Sequence, residues 1–274
     1  MQRIQGLLKE ENLSLPIESG HEVFKALTDP HESGFRGVGA RKVWACTVRM
    51  SHFLDVYATE RSRRGTNATG VAVEIGAGTA ALSMLLTRRN WRVAATDLPW
   101  LLPLTHLNTE CNDLGPGNLS VLALRWGQPA DVNAIRESLL PARGGESIVD
   151  LAFGSDVCYF EDDFDPLLDS LQRLGARENI LAIQSRNGCV ERFSEAATRR
   201  GWQVVPAVAT SFKYDSDNGL PVCYARDGDR ASVLRLIAPD DPFQTALPEA
   251  YSSSTSHLPL LRLKDGTWTF IPPG

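Results

Sequence analysis

A glycine turn and an aspartate 19 residues beyond it are the residues in this chain whose types and spacing best suit ligand chemistry. Val71 to Ile75 is a short apolar run that predicts a buried parallel strand. Gly76-Ala77-Gly78 follows at once, and Thr79 to Arg89 has the composition of a helix. A strand, a glycine turn and a helix N-terminus bring backbone N–H groups to a ligand at the strand's carboxyl end. The next predicted strand, Arg92 to Thr96, ends in Asp97, whose carboxylate could accept both hydroxyls of a ribose.

Two classes of cofactor fit this strand–turn–helix unit, namely dinucleotides and S-adenosylmethionine. A dinucleotide site needs free amides for a pyrophosphate and a small residue for close helix packing, which Ala80 or Ala81 would supply. Glu74, however, places a carboxylate just ahead of the turn, where it would oppose a pyrophosphate. S-adenosylmethionine carries a cationic amino group and a sulfonium, so an acidic approach favours the methyl donor without excluding the dinucleotide.

The ends of the next strands carry further candidates, because ligands of such sheets lie beyond the carboxyl ends of the strands. Trp126 follows the third strand, where its ring would either stack on an adenine or cap the core. Asp156 follows the fourth strand and either caps the next helix or serves as a catalytic group. The acids at positions 161–163 are better placed as helix N-terminal acids, which frees Asp156 for the second role. With Tyr159 it would form the mouth of an acceptor pocket, where an aromatic wall and a carboxylate suit an amine.

Strand and helix patterns alternate along most of the chain. The predicted helices, besides the one after the glycine turn, are Lys42–Thr59, Leu98–Cys111 with Pro99 in its first turn, Asp131–Leu140, Asp163–Leu174 and Val190–Arg200. The predicted strands after Arg92–Thr96 are Leu119–Leu124, Asp150–Gly154, Ile180–Gln184, Trp202–Val208 and Ala231–Ile237. This alternation predicts an α/β fold with a seven-stranded, mostly parallel sheet, helices on both faces and one antiparallel strand near the C-terminus.

The two ends of the chain are less regular. Met1 to Glu11 and Glu18 to Leu27 are predicted to be short helices, punctuated by Pro16 and Pro30. They would form an appendage that packs on the core or helps to select the substrate. The tail beyond Pro239 is rich in serine and proline and is predicted to be irregular or only partly packed.

Composition narrows the class of protein. The formal net charge of −5 and the pI near 5.6 argue against a nucleic-acid partner. No apolar run approaches the roughly 18 residues of a membrane span, and the N-terminus has no apolar segment typical of a signal peptide. The five scattered cysteines indicate reduced thiols in the cytoplasm, and the five histidines show no metal-ligand spacing, so no metal is expected.

Five short motifs, taken in order, identify a family. They are Trp44, the turn from Glu74 to Ala80, Thr96-Asp97-Leu98-Pro99, Arg125-Trp126-Gly127 and Asp156-Val157-Cys158-Tyr159. With these motifs the chain resembles the seven-β-strand protein methyltransferases of methyltransferase family sixteen, which includes the small lysine methyltransferases. The resemblance covers roughly residues 36–240 and implies a Rossmann-like class I methyltransferase fold. It implies three parts, namely an N-terminal extension (1–35), a methyltransferase domain (36–240) and a C-terminal tail (241–274).

The resemblance also implies roles for single residues. The S-adenosylmethionine site would comprise Trp44, Glu74, Gly76, Ala77, Gly78, Asp97, Trp126 and Ser155. Asp97 would hold the ribose and Trp126 would lie along the adenine, while Asp156 and Tyr159 would stand at the acceptor mouth as the catalytic residues. The chain departs from the family pattern at Ala80, where glycine is usual, and at Ser155, where alanine is usual. Exchanging glycine for alanine is a small-for-small change that should be tolerated.

The expected function is therefore S-adenosylmethionine-dependent N-methylation of a lysine in a protein substrate. Three alternatives stay open, namely methylation of a small molecule or another side chain, a cofactor-binding scaffold without activity, and a nicotinamide-dependent enzyme. The expected partner is a protein that presents a lysine, with no nucleic acid and no membrane. The expected location is the cytoplasm, with the nucleus as a second site.

Overall fold

The computed structural model describes residues 8–17, 20–32, 34–35, 37–63, 70–114, 118–139, 148–184, 186–206, 231–239, 260–262 and 268–270. Seven strands of these ranges form one sheet. They are β3 (Val71–Ile75), β4 (Arg92–Asp97), β5 (Leu119–Ala123), β6 (Leu151–Ser155), β7 (Glu178–Gln184), β8 (Gln203–Pro206) and β9 (Ala231–Ile237). Their spatial order is β5-β4-β3-β6-β7-β9-β8.

The sheet confirms the predicted α/β architecture. Strands β3 to β7 pair in parallel, and β9 pairs antiparallel with both β7 and β8. The chain order reverses between β3 and β6, which puts the carboxyl end of β3 at the switch point where such sheets bind ligands. Strands β3 and β4 are buried at every residue after the first, as parallel strands covered by helices on both faces must be.

Helices cover both faces of the sheet. They are α1 (Val38–Arg41), α2 (Ala45–Arg63), α3 (Ala81–Arg88), α4 (Leu102–Glu110), α5 (Pro129–Leu139), α6 (Phe164–Leu174) and α7 (Cys189–Arg199). Helices α5, α6 and α7 pack into one core cluster with β3, β6 and β7, whereas α2 and α3 pack on the opposite face of the same strands. Helix α4 begins at Leu102, four residues later than predicted, because residues 98–101 form turns; Pro103 rather than Pro99 then lies in its first turn.

The N-terminal region corrects the sequence prediction. Where helices were expected, residues 9–28 contain an antiparallel hairpin of β1 (Lys9–Ile17) and β2 (Gly20–Thr28), while residues 1–7 of the first predicted helix lie outside the described residues. Leu15 and Phe24 of the hairpin are fully buried against Met84 and neighbouring side chains of α3. Leu13, Leu15 and Ile17 alternate with other residues, which is the period of a strand and not of a helix.

Two asparagine side chains, one in α4 and one just after its end, occupy the free edge of the hairpin. Asn108 accepts a hydrogen bond from the Leu27 amide (2.7 Å) and donates one to the Leu27 carbonyl (3.0 Å). Asn112, one helical turn further on, does the same with Lys25 at 2.9 Å each way. An exposed strand edge would otherwise offer unpaired backbone groups, so these two amides tie the hairpin to the domain.

The described part of the tail holds a second, smaller hairpin of β10 (Leu260–Arg262) and β11 (Trp268–Phe270). The prediction of an irregular tail therefore needs correction at these residues. Within the described ranges no helix is both long and apolar enough to cross a membrane.

Candidate active site

All ten residues predicted for the site line two adjoining cavities at the carboxyl ends of the strands. A cleft of about 990 Å³ contains Trp44, Gly76, Asp97, Trp126, Asp156 and Tyr159 among its lining residues. A smaller cavity of about 40 Å³ shares Trp44 and Gly76 with the cleft and adds Glu74, Ala77, Gly78 and Ser155. The fold thus gathers residues that are more than 100 positions apart in the sequence.

Main-chain groups hold Asp97 in the cleft. Its Oδ2 atom accepts a hydrogen bond from the Gly78 amide and its Oδ1 atom one from the Leu98 amide, both at 2.7 Å. Burial raises the pKa of Asp97 above its usual value, although the two amides act in the opposite direction. The Thr105 hydroxyl donates to the Gly78 carbonyl (2.8 Å) and fixes the turn from its other side. Each carboxylate oxygen keeps further lone pairs with which it could accept a ligand hydroxyl.

The glycine turn is a poor site for a pyrophosphate, because its amides are already engaged. The Gly78 amide donates to Asp97 and the Ala77 amide donates to the Thr96 carbonyl (2.9 Å). Glu74 Oε2 accepts hydrogen bonds from the Ser83 amide (3.0 Å) and hydroxyl (2.5 Å) in the first turn of α3. The Glu74 carboxyl therefore occupies the helix N-terminus where a phosphate would bind in a dinucleotide site.

Glu74 itself does not act as the sequence interpretation assumed. Its side chain is almost completely buried, and burial raises its pKa to about 8. Near pH 7 the carboxyl is therefore largely protonated, so its charge is a weak argument for a cationic cofactor. Its position against the first turn of α3 is the stronger argument against a pyrophosphate.

We call the part of the two cavities beside Gly76, Gly78, Asp97 and Trp126 the cofactor half. Two close approaches of the backbone to neighbouring atoms shape it. Gly76 has φ of +70°, and a Cβ there would lie 2.8 Å from Cγ1 of Val157 and 3.8 Å from the Trp126 ring. Gly78 has φ of +52°, and a Cβ there would lie 3.0 Å from the Gly39 carbonyl oxygen. Only glycine leaves room at both positions. A flat ligand can therefore lie beside Trp126 while its ribose reaches Asp97, so the residues present fit S-adenosylmethionine.

Ala80, where the family usually has glycine, sits in a left-handed backbone conformation with φ of 59°. A left-handed conformation costs an alanine about 1 kcal/mol relative to a glycine. The exchange predicted to be small for small is thus accommodated sterically but with backbone strain.

We call the part of the cleft beside Asp156, Tyr159 and Phe160 the acceptor half. Here Asp156 is paired with an arginine. Arg186, just beyond the end of β7, donates to Asp156 through Nη2 to Oδ2 (2.7 Å) and through Nη1 to Oδ1 (3.2 Å). Arg186 also donates to Gln184 Oε1. Asp156 adopts a left-handed backbone conformation (φ 57°), and its amide donates to the Ala182 carbonyl at 2.7 Å. It is not the cap of α6, because a 3₁₀ turn over Glu161–Asp163 leads into that helix.

Trp44 lines both cavities, and two cationic side chains lie over its ring. The Arg186 guanidinium lies 5.0 Å and the Lys42 ammonium 4.3 Å from the centre of its ring system. Behind it, the hydroxyls of Thr47 and Ser155 are 3.2 Å apart. The Ser155 hydroxyl, unusual for the family, thus has a partner on α2.

The mouth of the cleft is aromatic and exposed. Trp100, Tyr159 and Phe160 line it and are 54%, 39% and 59% exposed. The Tyr159 and Phe160 rings meet edge to face, with centroids 4.9 Å apart. Partial burial, followed by the negative charges of Asp97 and other acids, raises the pKa of Tyr159 to about 12, so its phenol is neutral at physiological pH.

Sequence reasoning missed Arg186 and the contribution of the segment 37–41, which contains α1, to the cleft. Arg186 follows the fifth strand of the sheet, so extending the search to that strand end would have found it. Gly37 and Gly39 line the cleft, and Asp29 fixes this segment by donating its amide to the Ala40 carbonyl (2.7 Å). Asp29 Oδ2 also accepts hydrogen bonds from the amides of residues 34 and 35 (2.8 and 2.9 Å). The hairpin is thereby connected to the wall of the cofactor site, which no sequence motif announced.

A family model described as lysine methyltransferase matches residues 28–200. The chain belongs to this family. It is 33% identical over 150 residues to protein N-lysine methyltransferase METTL21A of Mus musculus (54% of this chain, 61% of the relative). It is 28% identical over 150 residues to EEF1A lysine methyltransferase 3 of Mus musculus (55% and 56%). The chain thus spans less than two thirds of the length of these two curated relatives.

The predicted family and the predicted cofactor agree with this assignment, because the family uses S-adenosylmethionine as its methyl donor. Among solved structures, the chain resembles human methyltransferase 10 domain containing protein, with 13% identity and a TM-score of 0.45 over 72% of this chain and 84% of that chain. The order of the strands in the sheet is that of a Rossmann-like class I methyltransferase.

Proposed function

We propose that this protein is an S-adenosylmethionine-dependent N-methyltransferase that methylates a lysine side chain of a protein substrate. One observation carries the proposal above the others. The buried carboxylate of Asp97 and the side chains of Asp156 and Tyr159 line one cleft, which supports a ribose acceptor and an amine-binding mouth in the same cavity. The lysine methyltransferase relatives named above support the choice of acceptor.

Binding and orientation account for most of the catalysis in such a reaction. S-adenosylmethionine supplies an electrophilic methyl group on a sulfonium. Asp97 would accept hydrogen bonds from the ribose hydroxyls, and Trp126 would supply an apolar face for the adenine. Holding two reactants in line can lower a barrier by about 7–11 kcal/mol, so a rigid cofactor half serves this chemistry.

The acceptor amine must be neutral when it attacks, whereas the pKa of a free lysine is near 10.4. The residues at the mouth of the cleft favour a neutral, correctly oriented amine. Tyr159 and Phe160 provide an aromatic wall that excludes water, and Asp156 accepts a hydrogen bond from the amine and so aims its lone pair. Asp156 is a positioning group in this scheme, since its carboxylate is already bound on both oxygens by Arg186.

The size and exposure of the mouth favour a protein over a small molecule as substrate. Trp100 and Phe160 expose more than half of their surface on the rim of the cleft. A small acceptor within the cleft would leave these rings in water, whereas a polypeptide crossing the rim would cover them. Aromatic side chains of this kind are enriched in protein interfaces.

Methyl-labelled S-adenosylmethionine, incubated with the protein and a cell extract, tests the function. Label in a discrete protein band, recovered as methyl-lysine after hydrolysis, is the expected result. Label confined to small molecules would replace the protein substrate with a metabolite, and label on histidine or an N-terminal amine would change the acceptor. The Asp97→Ala variant is the matched control, because it should remove the label from every fraction.

The location in the cytoplasm, with the nucleus as a second site, stays a prediction. Fractionation of cells that express the tagged chain would test it.

A further inference from the structure

The most informative contact outside the predicted motifs is the bidentate pair of Arg186 and Asp156. Both oxygens of a nearly buried carboxylate are bound by the two terminal nitrogens of one guanidinium, at 2.7 and 3.2 Å. Fork-to-fork pairing of this kind fixes orientation as well as charge. The guanidinium also stacks over Trp44, which lines both cavities, so the pair borders the cofactor half directly.

A lone carboxylate at this position would work against methyl transfer. It would attract the ammonium form of the acceptor and stabilise it, because a nearby opposite charge favours the charged form of a titratable group. The ammonium has no lone pair and cannot attack. A carboxylate that is neutralised by an arginine can still accept a hydrogen bond from an amine, but it gives the ammonium little advantage.

We propose that Arg186 is a positioning residue that cancels the charge of Asp156, so that the acceptor pocket selects a neutral amine rather than an ammonium. This inference rests on the proposed function, since it concerns an amine acceptor next to the cofactor. It assigns a role to a residue outside the recognised motifs. Arg186 acts through Asp156 and through Trp44, not by contact with the reacting methyl group.

The pair has other ionisable groups around it, and none of them is changed in the variants proposed below. Cys46 on α2 and Cys158 after β6 are buried thiols whose pKa values burial raises far above the usual range, so they stay neutral. Cys189 at the start of α7 donates a hydrogen bond from its thiol to the Gln184 carbonyl (3.0 Å). Within the described residues, further charged or phenolic groups near the pair or the side chains that contact it include Lys42, Arg49, Asp97, Tyr159 and Asp163.

Sinefungin provides a probe that needs no acceptor protein. It resembles S-adenosylmethionine but carries a primary amine where the sulfonium methyl group would be, whereas S-adenosylhomocysteine has no group there. The ratio of the two dissociation constants, measured by calorimetry at pH 7.5, therefore reports how the pocket treats a cationic amine. Each substitution of Arg186 or Asp156 by a neutral residue changes the charge of the pair by one unit. A more negative pair should bind sinefungin more tightly relative to S-adenosylhomocysteine, and a more positive pair should bind it more weakly.

The expected order is specific. Arg186→Gln leaves the negative charge of Asp156 without its partner. It should strengthen the binding of sinefungin relative to that of S-adenosylhomocysteine by about tenfold. Asp156→Asn leaves a net positive pocket and should weaken sinefungin by a similar factor. The double variant Asp156→Asn/Arg186→Gln is neutral again and should return to the wild-type ratio, and Arg186→Lys should stay near it. Arg200→Gln, which removes a comparably exposed arginine at the far end of α7, controls for distant charge.

A purely structural role gives a different pattern. If all substitutions of the pair weakened both ligands alike, or if the double variant did not return to the wild-type ratio, the inference would be overturned. Turnover adds a second readout: Arg186→Gln should lower both KM and kcat for the protein acceptor. If extracts yield no methyl-lysine while the ratio of dissociation constants changes among the variants as expected, the proposed acceptor is wrong and the charge-cancelling role of Arg186 is still supported. If extracts yield methyl-lysine but the substitutions leave the ratio of dissociation constants unchanged, the proposed function stands and the charge-cancelling role of Arg186 is overturned.

Discussion

Asp97 and Asp156 lie in the two halves of one cleft, each less than 10% exposed at the carboxyl end of a strand, but different kinds of group hold them. Asp97 is bound by two main-chain amides, one of them from the glycine turn. Asp156 is bound by the side chain of Arg186, which comes 30 residues later in the chain. Main-chain donors persist through any substitution that keeps the backbone, whereas a side-chain donor can be changed by one mutation.

The difference suggests a division of labour between the two halves. The cofactor half has to recognise one molecule in every member of a family, and a site made of backbone groups suits a constant ligand. The acceptor half has to fit substrates that differ among relatives, and a site made of exposed aromatics and one exchangeable ion pair can change with them. Substitutions in the two halves should therefore fail in different ways.

The largest effect is expected for Asp97→Ala. The variant loses the acceptor for the ribose hydroxyls and leaves the amides of Gly78 and Leu98 without their partner, so cofactor affinity should fall by about 100-fold or more. Calorimetry with S-adenosylhomocysteine measures this loss. Asp97→Asn keeps one acceptor oxygen and should bind with intermediate affinity. Wild-type affinity in Asp97→Ala, with an unchanged melting curve, would remove Asp97 from the cofactor site.

Asp156→Asn should show the opposite separation of binding and turnover. The affinity for S-adenosylhomocysteine should stay within about threefold of wild type, whereas turnover on the labelled protein substrate should fall by about 10–100-fold, the range typical of a lost polar contact to the reacting group. Asp150→Asn is the matched control, because Asp150 is a similarly buried carboxylate that is also held by an arginine, Arg61 (2.6 Å), and it lines neither cavity. Equal losses of turnover in both variants would mean that Asp156 only stabilises the fold.

The same contrast explains what could be predicted from the sequence. The glycine-turn part of the cofactor half is built from local contacts, since strand, turn, helix and Asp97 all fall within residues 71–97, and local pattern predicted each of them. Arg186 could not be assigned to Asp156 without the strand order that brings β7 beside β6. The hairpin was predicted as helices although its apolar residues alternate. Its edge depends on Asn108 and Asn112, more than 80 residues away, which no local pattern reveals.

Glu74 is a third buried acid beside the cleft. It is held by the amide and the hydroxyl of Ser83, whereas Asp156 is held by an arginine. The pKa of Glu74 in the folded protein is about 8 against an ordinary value of 4.5, so between these two values the folded state holds a proton that the unfolded state has lost. Glu74 therefore makes the protein less stable as the pH rises from about 5 to about 8, by a few kcal/mol at most. Glu74→Gln keeps an acceptor for Ser83 but cannot ionise, so its melting temperature should fall less over this range.

Thermal unfolding of wild type and Glu74→Gln from pH 5 to pH 9 measures that difference. The raised pKa of Asp97 adds a slope of the same sign to both curves, so the gap between them isolates Glu74. Parallel curves would show that Glu74 ionises normally in the folded protein and would restore its charge as an argument about the cofactor.

The smallest effect is expected at the exposed rim, where Phe160→Ala should raise KM for the protein substrate by about three- to tenfold. The reason is that truncation of a contact residue at an interface commonly costs about 1 kcal/mol. Cofactor affinity and the melting temperature should not change, because the ring is mostly in water in the free protein. Val23→Ala is the matched control, since Val23 is similarly exposed on the hairpin and does not line the cleft. An unchanged KM in Phe160→Ala and in Trp100→Ala, with kcat also unchanged, would mean that the substrate does not cross this rim. The acceptor half would then be confined to the interior of the cleft, and its contrast with the cofactor half would rest on the Arg186–Asp156 pair alone.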